Sequence, residues 1–317
     1  MSQRIVYRNG RFVPEAEARV SIYDSALVMG DMAFEVTRTV SGRPFRLDDH
    51  LARLFHTLGA LRIDPGLTVA QMRAVSEETL ARNLATEPEE VDWNIIHNVS
   101  RGPAAASRDA FTADELRPTV IVSCFPLLEK LGALAGAYET GIDLVVPTQR
   151  SLPGDLLDDA LKTRSRLHYQ LANLQAAEMR PGAWAVLVDP AGHLTEGTSG
   201  NLFLARHGEL LTPTADNLLP GITRQMVMER AAGLGIACRE TNVTLERAAD
   251  AEEMFLTSTS IGILHARTFQ GKPIGGDGIG PVASRLRAAL GQAVGVDFAA
   301  QAARYAEIRA ARQNRVG

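Results

Sequence analysis

A chain of 317 residues, 45% of them hydrophobic, is long enough to bury a sizeable core and to divide into two domains. A formal net charge of −4, with 33 basic residues scattered among 37 acidic ones, gives no electrostatic case for a nucleic-acid partner or an anionic membrane. No apolar run reaches membrane-spanning length, and Met1-Ser2-Gln3-Arg4 leads into a strand pattern rather than a signal peptide, so a cytoplasmic protein is expected.

From the N-terminus, Ile5 to Val13 reads as a hairpin about Asn9-Gly10, a pair that accepts positive φ. Val20 and Ile22 suggest another strand edge. Gly30 opens a strand run to Arg38, with Phe34, Val36 and Arg38 on one face and Glu35 and Thr37 on the other. After a turn at Ser41-Gly42, Asp48 or Asp49 is expected to cap a helix through His50, Leu51, Leu54 and Leu58. Thr68-Val69-Ala70-Gln71 is a capping box for a second helix with Met72, Val75 and Leu80 inward. Val91 to Ser100 and Thr119 to Phe125 read as strands. The pattern loosens over 126–138, which is expected to connect a small N-terminal α/β domain (1–125) to a larger one (139–317). Its small residues also suit a short helix.

The second half opens with a strand from Gly141 to Pro147 and continues through a polar turn into an apolar helix, Leu167 to Met179. Strands follow at Ala183 to Asp189, His193 to Glu196 and Asn201 to Ala205. Pro220-Gly221-Ile222-Thr223-Arg224 opens an amphipathic helix, Thr244 starts a short one, and Met254-Phe255-Leu256 is a strand running into the hydroxyl-rich turn Thr257-Ser258-Thr259-Ser260. Two helices end the chain. Cys124 and Cys238 sit in apolar contexts and read as buried, reduced thiols.

Only three of the basic residues are lysines: Lys130, Lys162 and Lys272. Lys162 alone stands where a strand and polar turn give way to a helix, close to other cations that favour a neutral, nucleophilic amine. Read on its own segment alone, a solvated surface lysine is the favoured reading. The surrounding motifs decide between these readings. Gly30-Asp31-Met32-Ala33-Phe34-Glu35, His50-Leu51-Ala52-Arg53-Leu54, Lys162, Glu196-Gly197-Thr198-Ser199-Gly200-Asn201, Gly221-Ile222-Thr223-Arg224 and Thr257-Ser258-Thr259 stand in one order at one spacing. That series resembles the fold-type IV pyridoxal-phosphate enzymes: branched-chain and D-amino acid aminotransferases and aminodeoxychorismate lyases.

The resemblance implies an α+β fold with a barrel-like core in the larger domain, a homodimer, pyridoxal 5'-phosphate as cofactor and no metal. It implies a Schiff base at Lys162, whose freed amine then moves a proton. Glu196 matches the carboxylate beside the ring nitrogen. Arg53, Ile222, Thr223, Ser258 and Thr259 match the phosphate cradle, where a helix start supplies N–H groups and dipole. Phe34, Arg38, Arg108 and Ser260 are candidate substrate contacts. Arg38 serves equally as half of a structural ion pair.

The sequence also departs from the pattern. The Asn-Tyr-Leu group that follows the lysine in branched-chain enzymes is replaced by Arg164-Ser165-Arg166-Leu167-His168-Tyr169, which leaves Arg164, Arg166 or His168 to meet the ring oxygen. Asn98-Val99-Ser100-Arg101-Gly102 resembles the D-amino acid and lyase pattern. There Arg108 is the nearest counterpart of a carboxylate-binding arginine, and Ala110 replaces a histidine. The expected activity is amino transfer between an amino acid, or a primary amine, and a 2-oxo acid. A carbon–carbon lyase and a non-catalytic dimeric binding protein are the alternatives.

Overall fold

The computed structural model describes residues 4–104, 109, 111–112 and 116–316. The chain forms two compact units: Met1–Leu127 with Leu161–Ser165, and Leu128–Ala160 with Arg166–Gly317.

In the first unit, β1 (Ile5–Arg8) and β2 (Arg11–Pro14) form the expected hairpin, and Asn9 and Gly10 supply the two positive φ angles of 47° and 88° that its two-residue turn requires. The six-stranded sheet has the order β2-β1-β6-β5-β3-β4, with β3 at Met32–Val40, β4 at Arg43–Pro44, β5 at Trp93–Ser100 and β6 at Thr119–Pro126. Every pairing is antiparallel. One face is covered by α2 (Leu47–Leu61) and α3 (Val69–Leu84), which bring Leu51, Leu54, Leu58, Met72 and Leu80 against Trp93, Ile95, Val99 and Val122. Thr68 and Gln71 make the reciprocal bonds of the capping box.

Two local expectations fail here. Val20 and Ile22 belong to no strand and are exposed. The chain next to them instead makes a five-residue helix, α1 (Ser25–Met29), capped by Asp24 and closed by Gly30 at φ 70°. The N-cap of α2 is Arg46 in the left-handed region, and Asp48 and Asp49 lie in the first turn. There they favour the helix through its dipole rather than by capping.

In the second unit, the stretch expected as a connection forms two short helices, α4 (Leu128–Ala133) and α5 (Ala135–Thr140). The sheet then builds from β7 (Ile142–Val145), β8 (Trp184–Val188), β9 (His193–Gly197), β10 (Gly200–Arg206), β14 (Glu253–Ser258) and β15 (Gly262–Phe269). These six close into a ring, because β9 pairs with β10 as well as with β8. Phe203 of β10 and its partner Phe255 of β14 stack at 5.2 Å. The remaining strands, β11 (Glu209–Thr212), β12 (Cys238–Glu240), β13 (Val243–Thr244) and β16 (Lys272–Pro273), attach at its margins. Helices α6 (Leu167–Met179), α7 (Ile222–Gly233), α8 (Leu245–Ala249), α9 (Pro281–Val294) and α10 (Phe298–Val316) complete the unit. Thr257 and Ser258, expected in a turn, are the last residues of β14.

Candidate active site

Lys162 is held on the first unit by main-chain hydrogen bonds to β3. The Phe34 amide donates to the Lys162 carbonyl at 2.9 Å, the Arg164 amide to Met32 at 2.8 Å, and the Lys162 amide to the Thr57 hydroxyl at 3.3 Å. Gly30 admits this segment, since a Cβ there would lie 2.8 Å from Ser165 Oγ. Lys162 Nζ stands 5.0 Å from the centroid of the Phe34 ring, and the Arg164 guanidinium 3.9 Å from it. Arg164 Nε also donates to Asn98 Oδ1 at 2.9 Å. The ring of Phe34 thus seats both cations.

Next to Phe34 on β3, Glu35 is fully buried and takes two 2.8 Å bonds from the Arg53 fork, with His50 Nδ1 at 3.1 Å. Burial opposes its ionisation, but Arg53, the His50 bond and Lys162 together hold the carboxyl well below the usual range. Burial likewise lowers His50, against the pull of Glu35. Arg53, the expected phosphate arginine, is thus aimed by a carboxylate on the strand beside it.

In the second unit Glu196 lies on β9, and both its oxygens are engaged. Tyr169 donates to Oε1 at 2.6 Å and Asn201 Nδ2 to Oε2 at 2.9 Å, while Asn201 also bonds the Leu219 carbonyl. Burial, then the charges of Glu196 and Asp158, push Asp159 up to about 6 against the pull of Arg166. Helix α7 begins at Ile222 and Thr223 behind Gly221, an N-cap with no side-chain cap bond. A Cβ on Gly221 would fall 2.0 Å from Asn201 Oδ1. Ser258 ends β14, Thr259 and Ser260 follow it, and Ser260 is buried.

For Arg38 the structure favours the ion-pair reading over the substrate contact. Arg38 is 1% exposed, bonds the Thr39 carbonyl and faces Asp92 at 3.7 Å, so its charge is spent inside the first unit. Arg108 and Ala110 lie outside the described residues. A cavity of about 600 Å³ lined by Arg8, Arg19 and Arg117 contains none of the expected groups. Of the three residues weighed for the ring oxygen, Arg166 stacks on Tyr169 at 4.7 Å and His168 meets that ring edge-on, while Arg164 sits over Phe34.

Comparison with known proteins identifies the family. The amino-transferase class IV family model matches residues 32–269. The chain belongs to the class IV aminotransferases. It is 33% identical over 283 residues to a putative branched-chain-amino-acid aminotransferase of Methanocaldococcus jannaschii, covering 89% of this chain and 93% of that protein. It is 27% identical to a D-alanine aminotransferase of Bacillus licheniformis, over 89% and 94% of the two chains. A branched-chain amino acid aminotransferase from T.th., solved with pyridoxamine 5'-phosphate, superposes with a TM-score of 0.79 at 26% identity, over 93% of this chain and 95% of that one.

The aminotransferase works through pyridoxal 5'-phosphate, and the second unit has features that suit this group. The start of α7 presents first-turn amides behind a glycine, the arrangement a phosphate needs. Glu196 is a carboxylate already fixed in direction. Thr257 Oγ1 and Asp159 Oδ2 are buried without a hydrogen-bond partner among the described residues. Sequence reasoning missed Glu35, His50, Tyr169 and Asn201. The first two carried a signal, an acidic residue inside a buried strand with His50 and Arg53 three apart on one helix face.

Proposed function

We propose that this aminotransferase moves the amino group of an aliphatic amino acid to a 2-oxo acid, with Lys162 as the amine that bonds the cofactor. Aliphatic donors are favoured because the relatives are named for branched-chain amino acids and D-alanine. The placement of Lys162 carries the reading: its carbonyl and the next-but-one amide bond β3, its own amide bonds Thr57, and Nζ is seated over Phe34. Bound pyridoxal phosphate supplies an electron sink for the bonds at the substrate Cα. Lys162 Nζ takes and returns the proton there. Glu196 would meet the ring nitrogen. In the second unit the amides of Ile222 and Thr223 and the hydroxyls of Ser258 and Thr259 would be phosphate donors and Ser260 a substrate contact; in the first, Arg53 would be a phosphate donor and Phe34 a substrate contact. The lyase alternative is not favoured, since the matching family and these relatives are aminotransferases.

We assign the two units as domains and expect a homodimer in the cytoplasm. Leu167, Leu171 and Leu174 make an exposed stripe at helical spacing on α6, and Ile22, Leu27, Val28 and Met29 are exposed in the first unit. Both cysteines are free thiols. Among the described residues, no helix is long and apolar enough to cross a membrane.

Borohydride reduction with the cofactor, followed by peptide mass spectrometry, is expected to label Lys162. A label on Lys130 or Lys272 would overturn the assignment. Spectral half-reactions with paired L- and D-amino acids and (R)- and (S)-amines identify the donor, and light scattering gives the oligomeric state.

A further inference from the structure

We propose that Tyr169 is a positioning residue that holds the Glu196 carboxylate in direction and keeps it weakly basic, so that the proton shared with the cofactor's ring nitrogen stays on the ring. The inference rests on Glu196 meeting that nitrogen.

The geometry leaves the phenol one role. Tyr169 is the third residue of α6, and its hydroxyl lies 2.6 Å from Glu196 Oε1. Arg166 stacks on one face of its ring at 4.7 Å, and His168 meets it at 4.5 Å and 74°. Burial first, and then the charge of Glu196, keep the phenol protonated far above the usual range, so it can only donate to the carboxylate.

Asn201 holds the other oxygen at 2.9 Å. A carboxylate with one donor on each oxygen cannot turn without breaking a bond, and each donor lowers its proton affinity. Asp159 acts in the opposite sense, since a second carboxyl near Glu196 raises the cost of its charge. The phenol and the carboxamide act against that cost as donors, beside the charge of Arg166.

The test uses holoenzyme loaded with pyridoxal phosphate labelled with ¹⁵N in the ring, and compares wild type, Tyr169→Phe and Glu196→Gln. Tyr169→Phe keeps the ring and its contacts with Arg166 and His168. It is expected to move the ring-nitrogen signal part of the way toward neutral pyridine and to weaken cofactor binding about tenfold, the size of one hydrogen bond to a charged group. The apo protein should keep its melting temperature within a few degrees. Glu196→Gln should move the signal further in the same direction.

If Glu196→Gln shifts the signal and Tyr169→Phe changes neither signal nor affinity, Tyr169 only packs and the proposal fails. If Glu196→Gln also leaves the signal in place, the assignment of Glu196 to the ring nitrogen fails first, and the two failures are distinct. Should Tyr169→Phe not fold, 3-fluorotyrosine at position 169 supplies a second readout. Its ¹⁹F resonance is expected to shift when Glu196 becomes glutamine, and an unchanged resonance would overturn the proposal.

Discussion

Two buried carboxylates, one in each unit, are treated in opposite ways. Glu35 is met by a guanidinium fork at 2.8 Å and by the His50 imidazole. Glu196 is met by a phenol and a carboxamide. A cationic partner neutralises a carboxylate and makes the pair part of the fold, and removing one side leaves the other stranded. A neutral donor fixes the direction of the charge without cancelling it. The first arrangement aims Arg53; the second fixes the direction of Glu196. The two units thus orient a buried carboxylate with different kinds of donor.

The largest expected effect lies at the amine. Lys162→Ala should cut transamination by a thousandfold or more, about 4 kcal/mol in transition-state terms, measured as single turnovers. It should leave the melting temperature close to wild type. Next comes Glu35→Ala, which removes the buried carboxylate bonded by the Arg53 fork and His50 and should cost about 3–5 kcal/mol in urea unfolding. If it lowered activity alone, Glu35 and Glu196 would not differ as described.

A smaller effect is expected at Gly221, whose φ of −71° suits any residue but whose Cβ position is 2.0 Å from Asn201 Oδ1. Gly221→Ala should cost about 1–3 kcal/mol of stability through overpacking and weaken cofactor binding, read by equilibrium dialysis. The smallest effect concerns Asp159. Its folded-state value of about 6 lies above the ordinary 3.8, so the folded protein binds the proton more tightly than the unfolded chain. The stability this brings is full below pH 3.8 and is lost as pH rises toward 6. Asp159→Asn should therefore raise the melting temperature at about pH 7 and leave it nearly unchanged near pH 3.5, by scanning calorimetry.

The sequence shows much of this scaffold but little of its fine wiring. Capping at Thr68, the positive-φ turn at Asn9-Gly10 and the apolar run of α6 are local signals, and each appears as expected. Helix α1 escaped notice because five residues carry no periodicity and Leu27, Val28 and Met29 face outward. Arg46 escaped because a left-handed arginine at a helix start breaks the usual capping preference. Arg38 was ambiguous for a different reason: strand alternation gives its face but not its distance from Asp92. Tyr169 lies 27 residues from Glu196, and no local pattern predicts a phenol reaching that far along the chain.

Leu161–Ser165 belongs to the first unit, while the chain on both sides of it belongs to the second. The amide protons of Phe34 and Arg164, bonded to the Lys162 and Met32 carbonyls, should therefore exchange with deuterium only when the first unit opens. Gln170, on the same stretch of chain, should follow the opening of the second. A cut of the gene after Leu127 would separate Lys162 from the sheet that holds it, so neither fragment alone should retain its amine in place.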